Sequence, residues 1–198
     1  MLGSDLLNEP KLIKLLKTGA VGILPTDTVY GLACLASNEA AVARLYELKT
    51  RLQNPGTIVA ANTSQLESLG IKLRYLKAVE HFWPGPVSII LPCGDDLKYL
   101  HLGRYGVAVR LVADKQLHAL LSNTGPLLTT SANQPTEPTA PTVVEAKHYF
   151  NDQVDFYIDG GDLSGRSPST IIRVIDDVIE IVRPGAVIIN PETGEIQK

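Results

Sequence analysis

The side chains able to do chemistry fall into four clusters, each placed next to a predicted element. The first, Pro25-Thr26-Asp27-Thr28-Val29-Tyr30-Gly31-Leu32, sets two hydroxyls, a carboxylate and a phenol behind the apolar stretch Ala20 to Leu24. Thr, Asp and Gly are also ordinary turn formers, so this cluster has a structural reading as well. The second is Lys49-Thr50-Arg51 with Asn54-Pro55, at the end of a helical pattern. Two cations there either complement the helix dipole or clamp a phosphate, Arg through its fork of donors and Lys as a point charge. The third, Thr129-Thr130-Ser131-Ala132-Asn133, suits either a small polar ligand or the capping of a sheet edge. The fourth is Ser169-Thr170-Ile171, which follows Asp159-Gly160-Gly161-Asp162 and a Gly/Ser-rich loop. Its paired aspartates read as turn formers rather than as a metal site.

Two arginines stand apart, Arg110 at the end of an apolar strand and Arg183 before Pro184-Gly185. A lone arginine in such a place is more often exposed or ion-paired than functional. No Walker loop, dinucleotide-binding glycine motif, nucleophile elbow or H-E-x-x-H helix is present. What remains are polar clusters at strand ends, where α/β sheets tend to build their sites.

Elements of both kinds must position these clusters. Pro10 to Lys17 predicts a helix with Pro at its start and Gly19 as its stop. Ala20 to Leu24 predicts a strand, and Asn38 a cap for a helix to Leu48 with Val42, Leu45 and Leu48 on one face. Strands are expected at Thr57 to Ala61, Val87 to Leu91, Val107 to Leu111 and Leu127 to Thr130. Helical stretches are expected at Ser64 to Leu69, Tyr75 to Phe82 and, opened by Asp114, to Leu121. Thr142 with Glu145 is a capping box for a helix to Phe150. Trp83-Pro84-Gly85-Pro86 reads as a rigid corner with Trp83 in the core. The last third predicts strands at Asp155 to Ile158, Ser169 to Ile175 and Val178 to Arg183, with a hairpin turn at Asp176-Asp177. This order predicts an α/β fold: a single domain over residues 1–198, with a twisted, mixed, open sheet and helices on its faces. The core is expected over about 8–189, with 190–198 as a loose tail.

Composition narrows the function classes. At 198 residues, with 44% hydrophobic and 20% charged side chains, the chain can bury a core without disulfides or metals. Net charge is −3, from 18 basic and 21 acidic residues, which argues against a primary nucleic-acid binder. The longest apolar runs, such as Ser88 to Leu91 and Val178 to Val182, are strand-sized, and Met1 to Leu7 carries no signal core. A cytoplasmic protein with no membrane contact is expected. Cys34 and Cys93 read as reduced thiols, and His81, His101, His118 and His148 lie at no metal-ligand spacing, so no protein metal site is expected.

Taken in order, P-T-D-T-V-Y-G-L, K-x-R, W-P-G-P, V-A-V-R, T-S-A-N, S-T-I-I and R-P-G-A resemble the YrdC/TsaC family. Each piece is weak alone; seven in the right order, from Gly19 to about Ile189, are specific. The family's members are threonylcarbamoyl-AMP synthases, which initiate the t6A modification of tRNA. The resemblance implies a YrdC-like fold around a positively charged cavity, with ATP, L-threonine and bicarbonate as ligands. It implies Mg²⁺ held mainly by the triphosphate. By matching positions, Lys49, Arg51, Asn54, Ser131, Asn133, Thr139 and Arg183 would hold the nucleotide, with Lys49 and Arg51 neutralising the phosphates in catalysis. Thr28, Arg110, Thr129 and Ser169 would surround the threonine, with Thr26 and Tyr30 close by. A TsaD-type transferase would take the product, with at most a weak contact to tRNA.

The chain also departs from the family pattern. The proline after K-x-R is absent, and Leu52-Gln53-Asn54-Pro55 is one residue shorter than the common form. Val59 stands where many members place a histidine near the threonine, and Pro135-Thr136 replaces a common S-G. The loop before Ser169 is slightly lengthened, and the extra C-terminal domain of longer members is missing. Two alternatives therefore stand beside the synthase: a noncatalytic nucleotide- or double-stranded-RNA-binding module, and a paralogue that makes another carbamoyl or acyl adenylate.

Overall fold

The computed structural model describes residues 6–50, 54–176 and 178–197. Arg51, Leu52, Gln53 and Asp177 lie outside the described residues. In chain order the main elements are α1 (Pro10–Lys17), β1 (Gly22–Pro25), β2 (Tyr30–Leu35), α2 (Glu39–Leu48), β3 (Thr57–Ala60), α3 (Thr63–Leu69), α4 (Leu73–Val79), β4 (Val87–Pro92), α5 (Lys98–His101) and β5 (Gly106–Leu111). There follow α6 (Lys115–Thr124), β6 (Leu127–Ser131), α7 (Val143–Phe150), β7 (Phe156–Tyr157), β8 (Thr170–Ile175), β9 (Val178–Arg183), β10 (Ile188–Ile189) and β11 (Ile196–Gln197).

Local signals set the helix starts. The Asn38 side chain accepts from Ala41 N at 3.0 Å, Asn62 from Gln65 N at 3.0 Å, and Asp114 from Leu117 N at 2.8 Å. Each satisfies a backbone donor that the first helical turn leaves free, which is worth about 1 kcal/mol. Thr142 accepts from Glu145 N, and its hydroxyl bonds the Glu145 carboxylate.

Nine strands form one mixed sheet in the order β7-β1-β2-β6-β3-β5-β4-β8-β9. The β1–β7, β3–β5 and β4–β8 pairs are parallel, and the other neighbours are antiparallel. Side chains alternate between the two faces. Ile58, Leu128, Val109, Ile89 and Ile172 point to the larger core cluster, with Val42, Leu66, Leu76, Leu100 and Ala146 of the helices. Val59, Leu127, Leu24 and Ala33 point the other way, into a second cluster under α1 and α6. Among the described residues that second layer covers the β7-β1-β2-β6-β3 end, and the same face from Thr129 and Thr57 toward β8 is open.

Several expectations need correction. Tyr30–Leu35 is a strand, fully buried up to Cys34, where only a turn-borne cluster was read; it pairs with both β1 and β6. The first strand starts at Gly22 rather than Ala20 and includes Pro25. The strand expected over 155–158 is two residues long, and the short helix Lys98–His101 was not foreseen. The tail expected to be loose is tied down, because Ile196 and Gln197 pair with Ile189 and Ile188. Asn190 closes that hairpin, its side chain accepting from Glu192 N at 2.9 Å and its carbonyl from Gly194 N at 2.8 Å. Trp83 is buried as expected and donates to Val87 O at 2.8 Å, after which the Trp83–Pro84 bond is cis.

Among the described residues no helix is long and apolar enough to cross a membrane. Both cysteines are free, and burial pushes the Cys34 thiol up to about 12 and Cys93 to about 11, so they remain protonated.

Candidate active site

The open face of the sheet holds a cavity of about 860 Å3. Strand register lays its floor out in a row: Thr129 on β6 faces Thr57 on β3, then Ala108 on β5, Ile90 on β4 and Arg173 on β8. Chemistry is therefore graded across the sheet, from hydroxyls through small and apolar side chains to a guanidinium. Arg104, Arg110, Arg173 and Arg183 line the cavity, and no lining residue among the described ones is acidic. Two of the four are ion-paired, Arg110 with Asp27 and Arg173 with Glu180.

The Thr26-Asp27-Thr28 turn between β1 and β2 forms one corner. Thr26 Oγ1 donates to Val29 O at 2.6 Å and lies 3.0 Å from Thr28 Oγ1. Both threonines line the cavity, whereas Asp27 turns behind the wall and accepts from Arg110 Nη2 at 2.7 Å. That ion pair is almost dry, with side-chain exposures of 4% for Arg110 and 8% for Asp27. Burial pushes the Asp27 carboxyl above its ordinary range despite the attraction of Arg110, and the same loss of water pulls Arg110 down. Tyr30 is fixed by the Asp159–Asp162 loop: its hydroxyl accepts from Gly160 N and donates to Gly161 O, both at 2.8 Å. A side chain at Gly160 would meet Pro25, its Cβ only 2.4 Å from the ring, so the loop can close over Tyr30 only with glycine there. The aspartates of that loop act as turn formers, Asp159 accepting from Gly161 N and Asp162 from Ser164 N.

The opposite corner is built from β8 and β9. Ser169 Oγ lies 2.8 Å from Ser88 Oγ, and Arg183 Nη2 donates to Ser169 O at 2.6 Å. Gly185 permits this approach, since a Cβ there would sit 2.3 Å from Pro168 O. Thr129 donates to Thr57 O at 3.1 Å, and Ser131 to Asn133 Oδ1 at 2.7 Å.

The structure thus brings Thr26, Thr28, Tyr30, Asn54, Arg110, Thr129, Ser131, Ser169 and Arg183 into one wall. Lys49, Asn133 and Thr139 do not line it. Lys49 is 1% exposed, and its ammonium donates to Ser131 O at 2.9 Å, to Asn133 Oδ1 at 3.0 Å and to Asn133 O. It is a clip under the 131–133 loop in this state, where a phosphate contact was expected. Thr139 is half-buried in the loop beyond. Val59, opposite Arg110 in register, is sealed in the second core cluster.

Arg104 and Arg173 were missed. Their signal was period-two alternation: Arg104, Gly106, Ala108 and Arg110 fall on one face of β5 and its approach, and Ile171 and Arg173 on one face of β8. Among the described residues no group of three or more His, Cys, Asp or Glu could hold a metal ion. The cavity lining among the described residues likewise includes no His, Cys, Lys or carboxylate. What this wall can do is bind, orient and neutralise an anionic ligand that carries hydroxyl or carboxylate groups.

Residues 14–185 match the model of the Sua5/YciO/YrdC family, described as telomere recombination. The chain belongs to that family. A threonylcarbamoyl-AMP synthase of Pseudomonas putida (strain GB-1) is 36% identical over 174 residues, covering 86% of this chain and 93% of the relative. The crystal structure of P. abyssi Sua5 complexed with L-threonine superposes with a TM-score of 0.79 at 30% identity, covering 88% of this chain and 53% of that one. This chain therefore spans about half the length of the P. abyssi Sua5. E. coli YciO matches with a TM-score of 0.76 at 26% identity, over 91% of this chain and 89% of its own. The Sua5/YciO/YrdC fold thus accounts for the mixed sheet and its flanking helices.

Proposed function

We propose that this chain is an L-threonylcarbamoyladenylate synthase, which forms threonylcarbamoyl-AMP and pyrophosphate from L-threonine, bicarbonate and ATP. One observation carries the reading. The threonine hydroxyls of the 26–28 turn, Thr129, Ser169 and the buried Arg110 share a cavity with Asn54, Ser131 and Arg183. The curated relatives' names and the threonine complex of the P. abyssi protein support the same assignment.

In this mechanism the threonine amine attacks carbon dioxide drawn from bicarbonate, releases a proton to solvent and becomes a carbamate. A carbamate oxygen then attacks the α-phosphorus of ATP; the new P–O bond forms as the bond to the β-phosphate oxygen breaks, and pyrophosphate leaves. A carbamate reverts readily in water, and the walled cavity lengthens its life. Arg110 pairs with the threonine carboxylate while Thr26, Thr28, Thr129 and Ser169 offer partners for its hydroxyl and carbamate. Arg183 and Arg51 neutralise phosphate charge, and Lys49 holds the Ser131 loop against the nucleotide. Any Mg²⁺ would be held mainly by the triphosphate oxygens, where it would neutralise phosphate charge beside Arg183. The product serves t6A formation through a TsaD-type transferase in the cytoplasm.

The test is pyrophosphate release from ATP and bicarbonate, with L-threonine, with serine and without an amino acid. Threonine-dependent release supports the assignment; ATP binding without such release moves it to a paralogue with another acceptor.

A further inference from the structure

The Asp27–Arg110 pair has features that a purely structural ion pair would lack. It joins the turn after β1 to the end of β5, 83 residues away, by one hydrogen bond of 2.7 Å. An arginine and a carboxylate frequently close a two-bond fork. Here Asp27 Oδ2 and Arg110 Nε are both buried and both lack a partner. Burying such a pair is costly, and apolar residues of the same volume commonly serve stability as well or better. Its location is also particular, because Arg110 lines the cavity while Asp27 does not. Asp27 therefore touches no ligand, and whatever it does to one passes through Arg110. The two residues flanking Asp27 are Thr26 and Thr28, whose hydroxyls bond each other and face the cavity.

We propose that Asp27 is the positioning residue for amino-acid recognition: through Arg110 it lets one turn set both the guanidinium and the hydroxyls that a β-hydroxy amino acid meets. The inference rests on the synthase reading, in which Arg110 takes the threonine carboxylate. Asp27 holds one edge of the guanidinium and leaves the remainder for a ligand carboxylate. Because the same three-residue turn carries Thr26 and Thr28, the distance between the carboxylate-binding and hydroxyl-binding groups is fixed locally. The Asp27 side chain bonds Arg110, whereas the nucleotide side is built on Asn54, Ser131 and Arg183.

The experiment compares KM for L-threonine and for ATP in the wild type, Asp27→Asn, Arg110→Lys and the double variant. Asp27→Asn should raise the threonine KM by about tenfold, with the ATP KM within about twofold, since only amino-acid binding is disturbed. Added to Arg110→Lys, the same change should cost less than about threefold, because Asp27 acts through the arginine. Parallel rises in both KM values, or fully additive effects, would overturn the proposal and leave Asp27 a packing residue. If Asp27→Asn does not fold, Asp27→Glu keeps the anion one methylene farther out and is judged by the same split. A wild type without threonine-dependent turnover sinks the synthase reading itself and is seen before any variant is made.

Discussion

Replacing Lys49 by Met separates a structural clip from a phosphate clamp. Methionine keeps the length of the buried stem but removes the ammonium, which in the folded protein is 1% exposed and donates to Ser131 O, Asn133 O and Asn133 Oδ1. Each buried acceptor left without a donor costs about 1–3 kcal/mol. Asn133 Oδ1 keeps the bond it accepts from Ser131 Oγ at 2.7 Å and Ser131 O the one from Asn133 N at 3.0 Å, so the loss falls mainly on Asn133 O. A net loss of about 2 kcal/mol follows, which in a chain of this size lowers the melting temperature by roughly 4–8 °C. The assay is a thermal melt followed by circular dichroism with no nucleotide present, paired with an ATP titration at 20 °C below the midpoint, a margin of about 20 °C being enough to keep the fold intact. The reasoning predicts both a lower melting temperature and weaker ATP binding, the latter because the Ser131 loop loses its support. An unchanged melting temperature with ATP binding lost would refute it and make Lys49 a ligand contact that merely rests on the loop.

Gly185→Ala should push the 168–169 segment outward, because its Cβ would sit 2.3 Å from Pro168 O and 2.6 Å from Ser169 O. Overpacking of this kind costs about 1–3 kcal/mol, and the threonine KM should rise with it; an unchanged KM would detach Ser169 from the site. Thr130→Val removes a buried hydroxyl that has no partner, so urea denaturation should give stability within about 0.5 kcal/mol of the wild type or higher, and a loss above about 1 kcal/mol would reveal a hydrogen bond. Asp155 accepts from Arg44 Nη1 at 2.5 Å and from Val21 N at 2.8 Å, and the Arg44 hydrogen bond above all holds its pKa below the ordinary 3.8. Its stabilisation is complete above that value and is lost as pH falls below it toward the lowered folded value. With both side chains more than a third exposed, solvent screening holds the effect to about 1 kcal/mol. The gap in urea midpoint between Asp155→Asn and the wild type should therefore shrink from pH 7 to pH 3, values about three units above and one below the ordinary carboxylate range; an equal gap would show that the ion pair contributes nothing.

Most of the sheet and the cavity wall were legible because their signals are local. A capping Asn or Asp, an apolar run and a Gly or Pro stop placed most helices and strands to within a few residues. Ordered short motifs gathered nine of the lining residues. Tyr30–Leu35 escaped because its first residues carry turn chemistry, and Tyr-Gly beside Thr-Asp-Thr hides the apolar alternation that follows. Lys49 was read as a phosphate ligand because a cation at a helix end looks the same whether it faces solvent or the carbonyls of a loop 82 residues away. Asp27 was left without a role for a similar reason, since its partner is remote in sequence and only the β1–β2 turn brings the two together. Arg104 and Arg173 were overlooked because small and apolar neighbours on alternate positions read as sheet packing until the open face became visible.

The most direct test of the central claim is to incubate the wild-type protein with ATP, L-threonine and isotopically labelled bicarbonate and to analyse the products by mass spectrometry. The account predicts an adenylate carrying both threonine and the bicarbonate carbon, formed in step with pyrophosphate. Pyrophosphate release with no label in any adenylate would contradict it.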